Sequence, residues 1–91
     1  MLLMLIKEFR GICEYLISKE YPQYRGYILI EKAQLCGLLD KNNYELADNK
    51  LRFWKQLHWI QSETGRLTCR VRGKRMIKIS IEVYEGIKRL D

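Results

Sequence analysis

Apolar residues at positions 2, 5, 6, 9, 12, 13 and 16 recur as one face of a helix, and the spacing predicts a first amphipathic helix over residues 2–17. Residues 18–27, "SKEYPQYRGY", break this period with Pro22 and Gly26 and read as a loop. Within it, Tyr21, Tyr24 and Tyr27 are expected to pack their rings on the domain edge. "YILI" is a short strand, and residues 31–39 form a short helix that stops at "DKNN", where Asp40, Asn42 and Asn43 favour a turn. Asn42 followed by Glu45 has the spacing of a capping box, which predicts that the next helix starts there. Its core face reads Ala47, Leu51, Trp54 and Leu57; Glu45, Asp48, Asn49, Arg52 and Lys55 lie opposite.

After Ile60 the period changes from helical to alternating, with "SETG" as a turn and two strands behind it. Leu67, Cys69 and Val71 share one face, as do Ile77, Ile79 and Ile81. Matching those faces pairs Val71 with Ile77, Cys69 with Ile79 and Leu67 with Ile81, and leaves Gly73, Lys74 and Arg75 as the hairpin tip. Arg70 is then opposite Lys78, with Arg66 and Arg72 beside them. "VYEGIKRL" returns to helical spacing at Val83, Ile87 and Leu90 and is expected to pack on the first helix. No Pro, Gly or Ser-rich linker divides the chain, so residues 1–91 read as one α+β domain.

Charge adds a second pattern to the first. The chain carries 17 Lys and Arg against 11 Asp and Glu, a net +6. Six of those bases, Arg66, Arg70, Arg72, Lys74, Arg75 and Lys78, fall in a span with no acid, so the remainder is balanced. Basicity is therefore local to the hairpin, and points to a polyanionic partner. "MLLMLI" is too short for a secretory core or a membrane span, which leads us to expect a cytoplasmic protein without membrane contact. Cys13, Cys36 and Cys69 lack the paired spacing of a zinc site or a disulfide framework and read as free thiols, with no metal and no cofactor expected.

In this order of elements, "LCGLLDKNNYELADNKLRFWKQLHWI" followed by "RLTCRVRGKRMIKISI" resembles the winged helix-turn-helix superfamily over roughly residues 27–82. "WKQLHWI" fits that family's third-helix signature with Trp for the first Leu, and His58 stands where the family often has Gly. The resemblance implies a three-helix core, a basic β-hairpin as the wing and an additional short C-terminal helix. It further implies double-stranded DNA as the partner, with the wing on the phosphate backbone or in the minor groove and the third helix in the major groove. Asn49 and Arg52 would then read base edges, with Lys55 on the same face. Lys41, Asn42, Asn43 and Tyr44 would grip phosphate at the helix start. Arg66, Arg70, Arg72, Gly73, Lys74, Arg75 and Lys78 would form the wing contact.

Other classes fit less well. No acid, base and nucleophile converge, and the only histidine, His58, reads as a packing or exit-turn residue, so no catalytic residue is expected. An RNA-binding or protein-interaction winged helix domain is the alternative, though no aromatic sheet surface for stacking single-stranded bases is expected. The role is read as an accessory or architectural factor in a larger plasmid, phage or bacterial complex on DNA, or as a small transcriptional regulator. The apolar stripe of the first helix, widened by Leu3, Met4 and Ile17, leaves two readings open: it packs on the C-terminal helix within one chain, or it forms a homodimer.

Overall fold

A computed structural model describes residues 1–90. Four helices and a small antiparallel sheet follow one another as α1 (Leu2–Ser18), β1 (Gln23–Tyr24), β2 (Tyr27–Ile30), α2 (Lys32–Leu39), α3 (Ala47–Gln56), β3 (Ile60–Gln61), β4 (Cys69–Val71), β5 (Lys74–Ser80) and α4 (Ile81–Arg89). The stripe expected on α1 is its buried face: Leu5, Phe9, Ile12, Cys13 and Leu16 enter one cluster with Leu35, Leu39, Leu51, Trp54 and the sheet isoleucines. Phe9 meets Trp54 edge-on, with centroids 5.0 Å apart and planes at 81°, and lies 4.8 Å from Trp59. One aromatic cluster thereby fixes α1 against α3 and the segment that leaves it.

The sheet is built around β5, with β2 on one edge and β3 on the other in the order β1-β2-β5-β3. Ile28, Ile30, Ile60, Ile77 and Ile79 form its buried inner face. Alternation sends Tyr27, Leu29, Met76 and Lys78 to the outer face. Gln61 pairs with Lys78 and Cys69 with Met76, so residues 62–68 leave the ladder as a loop between β3 and β4.

Three expectations need correction. The basic hairpin pairs Cys69 with Met76, Arg70 with Arg75 and Val71 with Lys74, not Val71 with Ile77 or Arg70 with Lys78. Its tip is Arg72-Gly73, with φ of 50° and 81°, and not Gly73 to Arg75. A two-residue turn with positive φ at both positions matches strand twist, and it overrides a register inferred from matching faces. It also frees Ile77 and Ile79 to pair with Ile30 and Ile28 of β2, while Ile81 opens α4 behind Ser80, whose hydroxyl accepts from the Val83 amide at 3.1 Å. Second, α3 begins at Ala47 behind Leu46 rather than at Asn42, because Asn42 is engaged elsewhere. Third, Leu57 and Leu90 lie exposed, whereas Tyr84 is the buried residue of α4 as it packs on α1. The expected loop at residues 18–27 also contains an unforeseen hairpin, β1–β2, closed by Arg25-Gly26 with φ of 49° and 87°.

Helix α3 ends where the His58 amide donates to the Lys55 carbonyl at 3.0 Å and the Trp59 amide to the Trp54 carbonyl at 2.8 Å. This closure requires a left-handed residue, and His58 supplies it at φ 61°. A side chain in that region costs about 1–2 kcal/mol, against roughly 0.4–1 kcal/mol for the extra unfolded freedom of glycine. His58→Gly is therefore expected to raise the unfolding free energy by about 0.5–1 kcal/mol in urea titrations. A loss of stability would mean that the histidine ring makes contacts that outweigh the strain.

Candidate nucleic-acid interface

The turn between α2 and α3 is shaped from below by charge. Glu8 of α1 and Lys50 of α3 each sit on an otherwise apolar helical face and are buried, with Nζ 3.0 Å from Oε2. Lys50 also donates to the carbonyls of Leu39, at 2.7 Å, and Asn42. Glu8 in turn accepts from the Tyr44 hydroxyl at 2.7 Å and from the Asn42 side-chain Nδ2 at 3.1 Å, and the Lys50 ammonium lies 4.1 Å from the centre of the Tyr44 ring. Burial, and then the bond to Glu8, push the Tyr44 phenol upward in pKa and keep it neutral. The side chains of Asn42, itself exposed, and half-buried Tyr44 are thus engaged by Glu8, while Lys41 and Asn43 of the same turn are exposed.

The outward face of α3 is locally neutralised at its start. Asp48 lies 3.4 Å from Lys32 of α2, and Glu45 accepts from the Leu46 amide at 2.8 Å and the Asn49 side chain at 3.1 Å. Those two hydrogen bonds, the backbone one first, hold the Glu45 carboxyl below its usual range. Further along, Lys55 reaches across to the carbonyls of Arg66, at 2.8 Å, and Glu63, at 3.4 Å, and ties the 62–68 loop to the helix. Between helix and loop runs an open groove of about 720 Å³ whose walls include Lys32, Arg52, Lys55, His58 and Arg66. Arg52 and Arg66 are exposed there with no side-chain partner among the described residues.

The hairpin continues the loop. Arg75 does not point outward with its neighbours: it donates to Thr68 Oγ1 and the Thr68 carbonyl, each at 3.0 Å, and to Glu63 at 3.1 Å. Lys78 is half-buried on the outer sheet face, 4.8 Å from the centre of the Tyr27 ring. Arg70, Arg72 and Lys74 are exposed, again with no side-chain partner among the described residues, and Gly73 completes the tip.

Of the residues singled out from sequence, the fold therefore gathers Arg52, Lys55 and Arg66 at the groove and Arg70, Arg72, Gly73 and Lys74 along the hairpin. Lys41 and Asn43 are exposed on the α2–α3 turn, and Asn49 is bound to Glu45. Sequence reasoning missed Lys32 and His58 as groove residues, because only tertiary packing brings α2 and the end of α3 there. It also missed the Glu8–Lys50 pair, although the signal was present: 5, 8, 9, 12 and 47, 50, 51, 54 are both buried-face spacings. Burial lifts the Cys13 thiol to about 12 and raises Cys36 as well, which leaves both protonated at neutral pH. Among the described residues no His, Cys, Asp or Glu cluster could hold a metal ion, and no helix is long and apolar enough to cross a membrane. No known protein-family model matches the chain, and neither does any curated protein sequence.

Removing one partner of a buried ion pair strands the other, so Lys50→Met is expected to destabilise the fold by about 3–5 kcal/mol in chemical denaturation. Glu8→Gln/Lys50→Met should recover part of the loss, since no charge is then left buried. A cost for the single variant no larger than that of an exposed pair, about 1 kcal/mol or less, would mean that the pair does not anchor the turn.

Proposed function

We propose that the chain is a winged helix-turn-helix protein that binds double-stranded DNA without catalysing a reaction. It acts as an accessory or architectural factor in a complex on DNA, or as a small transcriptional regulator. Three features support the reading: the succession of α1, β2, α2, α3, β3 and a basic hairpin; the sheet order β2-β5-β3; and the exposed face of α3 beside the 62–68 loop that leads into that hairpin. In this reading β4–β5 is the wing, α3 approaches the major groove, and phosphates line the cleft between α3 and the 62–68 loop.

The observation that carries it is the run of cations left without internal partners, Arg52, Arg66, Arg70, Arg72 and Lys74, on the groove wall and the hairpin that extends it. Arg70 is directly opposite Arg75, an arrangement that weakens a hairpin in isolation. Phosphates, spaced at about one charge per 1.7 Å of duplex axis, would relieve that repulsion. Arg52, with nothing else to bind, is the base-reading candidate on α3; Asn49 would first have to release Glu45. Asn42 and Tyr44 contribute by fixing the turn rather than by touching phosphate, which leaves Lys41 and Asn43 for that contact.

Duplex binding measured across a salt series tests this directly. Arg66→Ala, Arg70→Ala, Arg72→Ala and Lys74→Ala should each weaken binding to any sequence and flatten the dependence of log K on log salt by about 0.9. Arg70→Ala should in addition leave the fold as stable or more stable. Unchanged slopes throughout would take the hairpin off the DNA backbone.

A homodimer through α1 is part of the same proposal. Leu2, Leu3 and Met4 are 55%, 64% and 53% exposed although α4 packs on the same helix, and paired domains gain specificity by occupying two half-sites. Leu5 is core, at 2% exposed, so the informative substitution is Leu3→Glu. Sedimentation of the wild type on a two-site duplex should give two protomers bound cooperatively, and Leu3→Glu should abolish the cooperativity. Independent binding by the wild type would dismiss the dimer.

A further inference from the structure

The outer face of the sheet carries a second site. Tyr24 pairs with Tyr27 across β1–β2, and both share that face with Leu29, Met76 and Lys78. Where the β1–β2 and β4–β5 hairpins flank one another, a cleft of about 300 Å³ opens, with Pro22, Leu29, Val71 and Met76 as its apolar lining and Tyr24 as an aromatic wall. Gln23, Arg72 and Lys74 complete the lining. The framework is fixed: the Leu29 amide donates to the Pro22 carbonyl at 2.8 Å, and the Arg25 guanidinium lies 5.1 Å from the centre of the Tyr24 ring. The sequence led to the opposite expectation, no aromatic sheet surface, because β1 is two residues long and Tyr24 lay in an apparent loop.

We propose that this cleft takes one unpaired nucleotide, so that the protein prefers duplex DNA that carries a single-stranded extension over blunt duplex. An apolar slot with an aromatic wall suits the face of a base and gains by stacking on any of the four. The Gln23 amide offers both a donor and an acceptor to a base edge. Arg72 and Lys74 provide the charge complement for the phosphate that a base carries with it, which a purely apolar ligand would leave unmatched. Because Arg72 and Lys74 also belong to the proposed wing, the inference rests on the duplex-binding reading and deepens it: a strand that leaves the duplex beside the hairpin meets the cleft next.

The test compares three fluorescent probes, a blunt duplex, the same duplex with a short thymidine extension, and the extension alone, by anisotropy at one salt concentration. A 2-aminopurine placed in the extension reports stacking independently. Wild type should bind the extended duplex roughly tenfold more tightly than the blunt one, with quenching of 2-aminopurine. Tyr24→Ala should lose both the gain and the quench while it keeps its affinity for blunt duplex, and Tyr24→Phe should retain both. Tyr24 is 36% exposed, and the charge-neutral Leu29→Ala on β2, outside the proposed wing, supplies a second route to the same loss that does not depend on it. Equal wild-type affinity for blunt and extended duplex without quenching overturns the cleft and leaves the duplex-binding reading standing. Tyr24-dependent binding of the extension without any blunt-duplex binding upholds the cleft and removes that reading. Failure to bind all three probes overturns both.

Discussion

The contact between Glu8 and Lys50 sets the geometry from which the rest of the molecule follows. Two opposite charges out of water are tolerated only when nearly every remaining hydrogen-bonding position is filled. Here the ammonium is filled by Glu8 and by the carbonyls of Leu39 and Asn42, and the carboxylate by Tyr44 and Asn42. Those partners come from α1, the end of α2, the turn after it and α3. The pair therefore dictates where α3 begins and how it is rotated, more specifically than an apolar contact of the same volume could. Satisfying it engages the side chains of Asn42 and Tyr44, and so limits what the turn can offer to a ligand.

The same logic divides the surface cations. Lys55 and Arg75 are spent within the fold, the first tying the 62–68 loop to α3 and the second stapling that loop to the hairpin through Thr68 and Glu63. Arg52, Arg66, Arg70, Arg72 and Lys74 are then displayed by a scaffold made rigid by members of their own cluster. A basic segment is thus not one undifferentiated patch, and charge counting along the sequence cannot separate the two roles. Distance can: Arg70 and Arg75 are direct partners across the hairpin, yet of the two side chains only that of Arg75 pairs with Glu63, whose carboxylate also accepts from the Arg70 backbone amide at 3.3 Å.

Legibility in the sequence followed the range of the interaction. The helical stripe of α1, the "YILI" strand, the short α2, the break at "DKNN" and the change to alternation after Ile60 depend on near neighbours and could be read. The hairpin register could not, since Arg72 is not a residue that turn chemistry marks for a position of positive φ, and Ile77 and Ile79 find their partners on β2, which lies far away in sequence. Periodicity also failed where a charge occupied an apolar position: Lys50 was passed over for Leu57, although 47, 50, 51 and 54 make the better helical face. Of the candidate site, the cations were visible as residues, but the groove and the outer-face cleft were not, because each is walled by segments that only the tertiary fold makes adjacent.

Strain is distributed in the same direction as charge. Among the described residues four that are not glycine, Glu20, Arg25, His58 and Arg72, hold φ between 49° and 61°, where an L side chain is disfavoured. His58 borders the cationic groove, Arg72 lines the outer-face cleft and Arg25 is stacked on that cleft's tyrosine wall. Turn chemistry alone would choose Asn, Asp or Gly at both hairpin tips, so Arg25 and Arg72 each hold disfavoured backbone while placing an exposed cation at the tip. Added to the Arg70–Arg75 opposition, this places strained backbone and opposed like charges in the same hairpin. The apolar core and the saturated Glu8–Lys50 cluster supply the stability against which that strain is held.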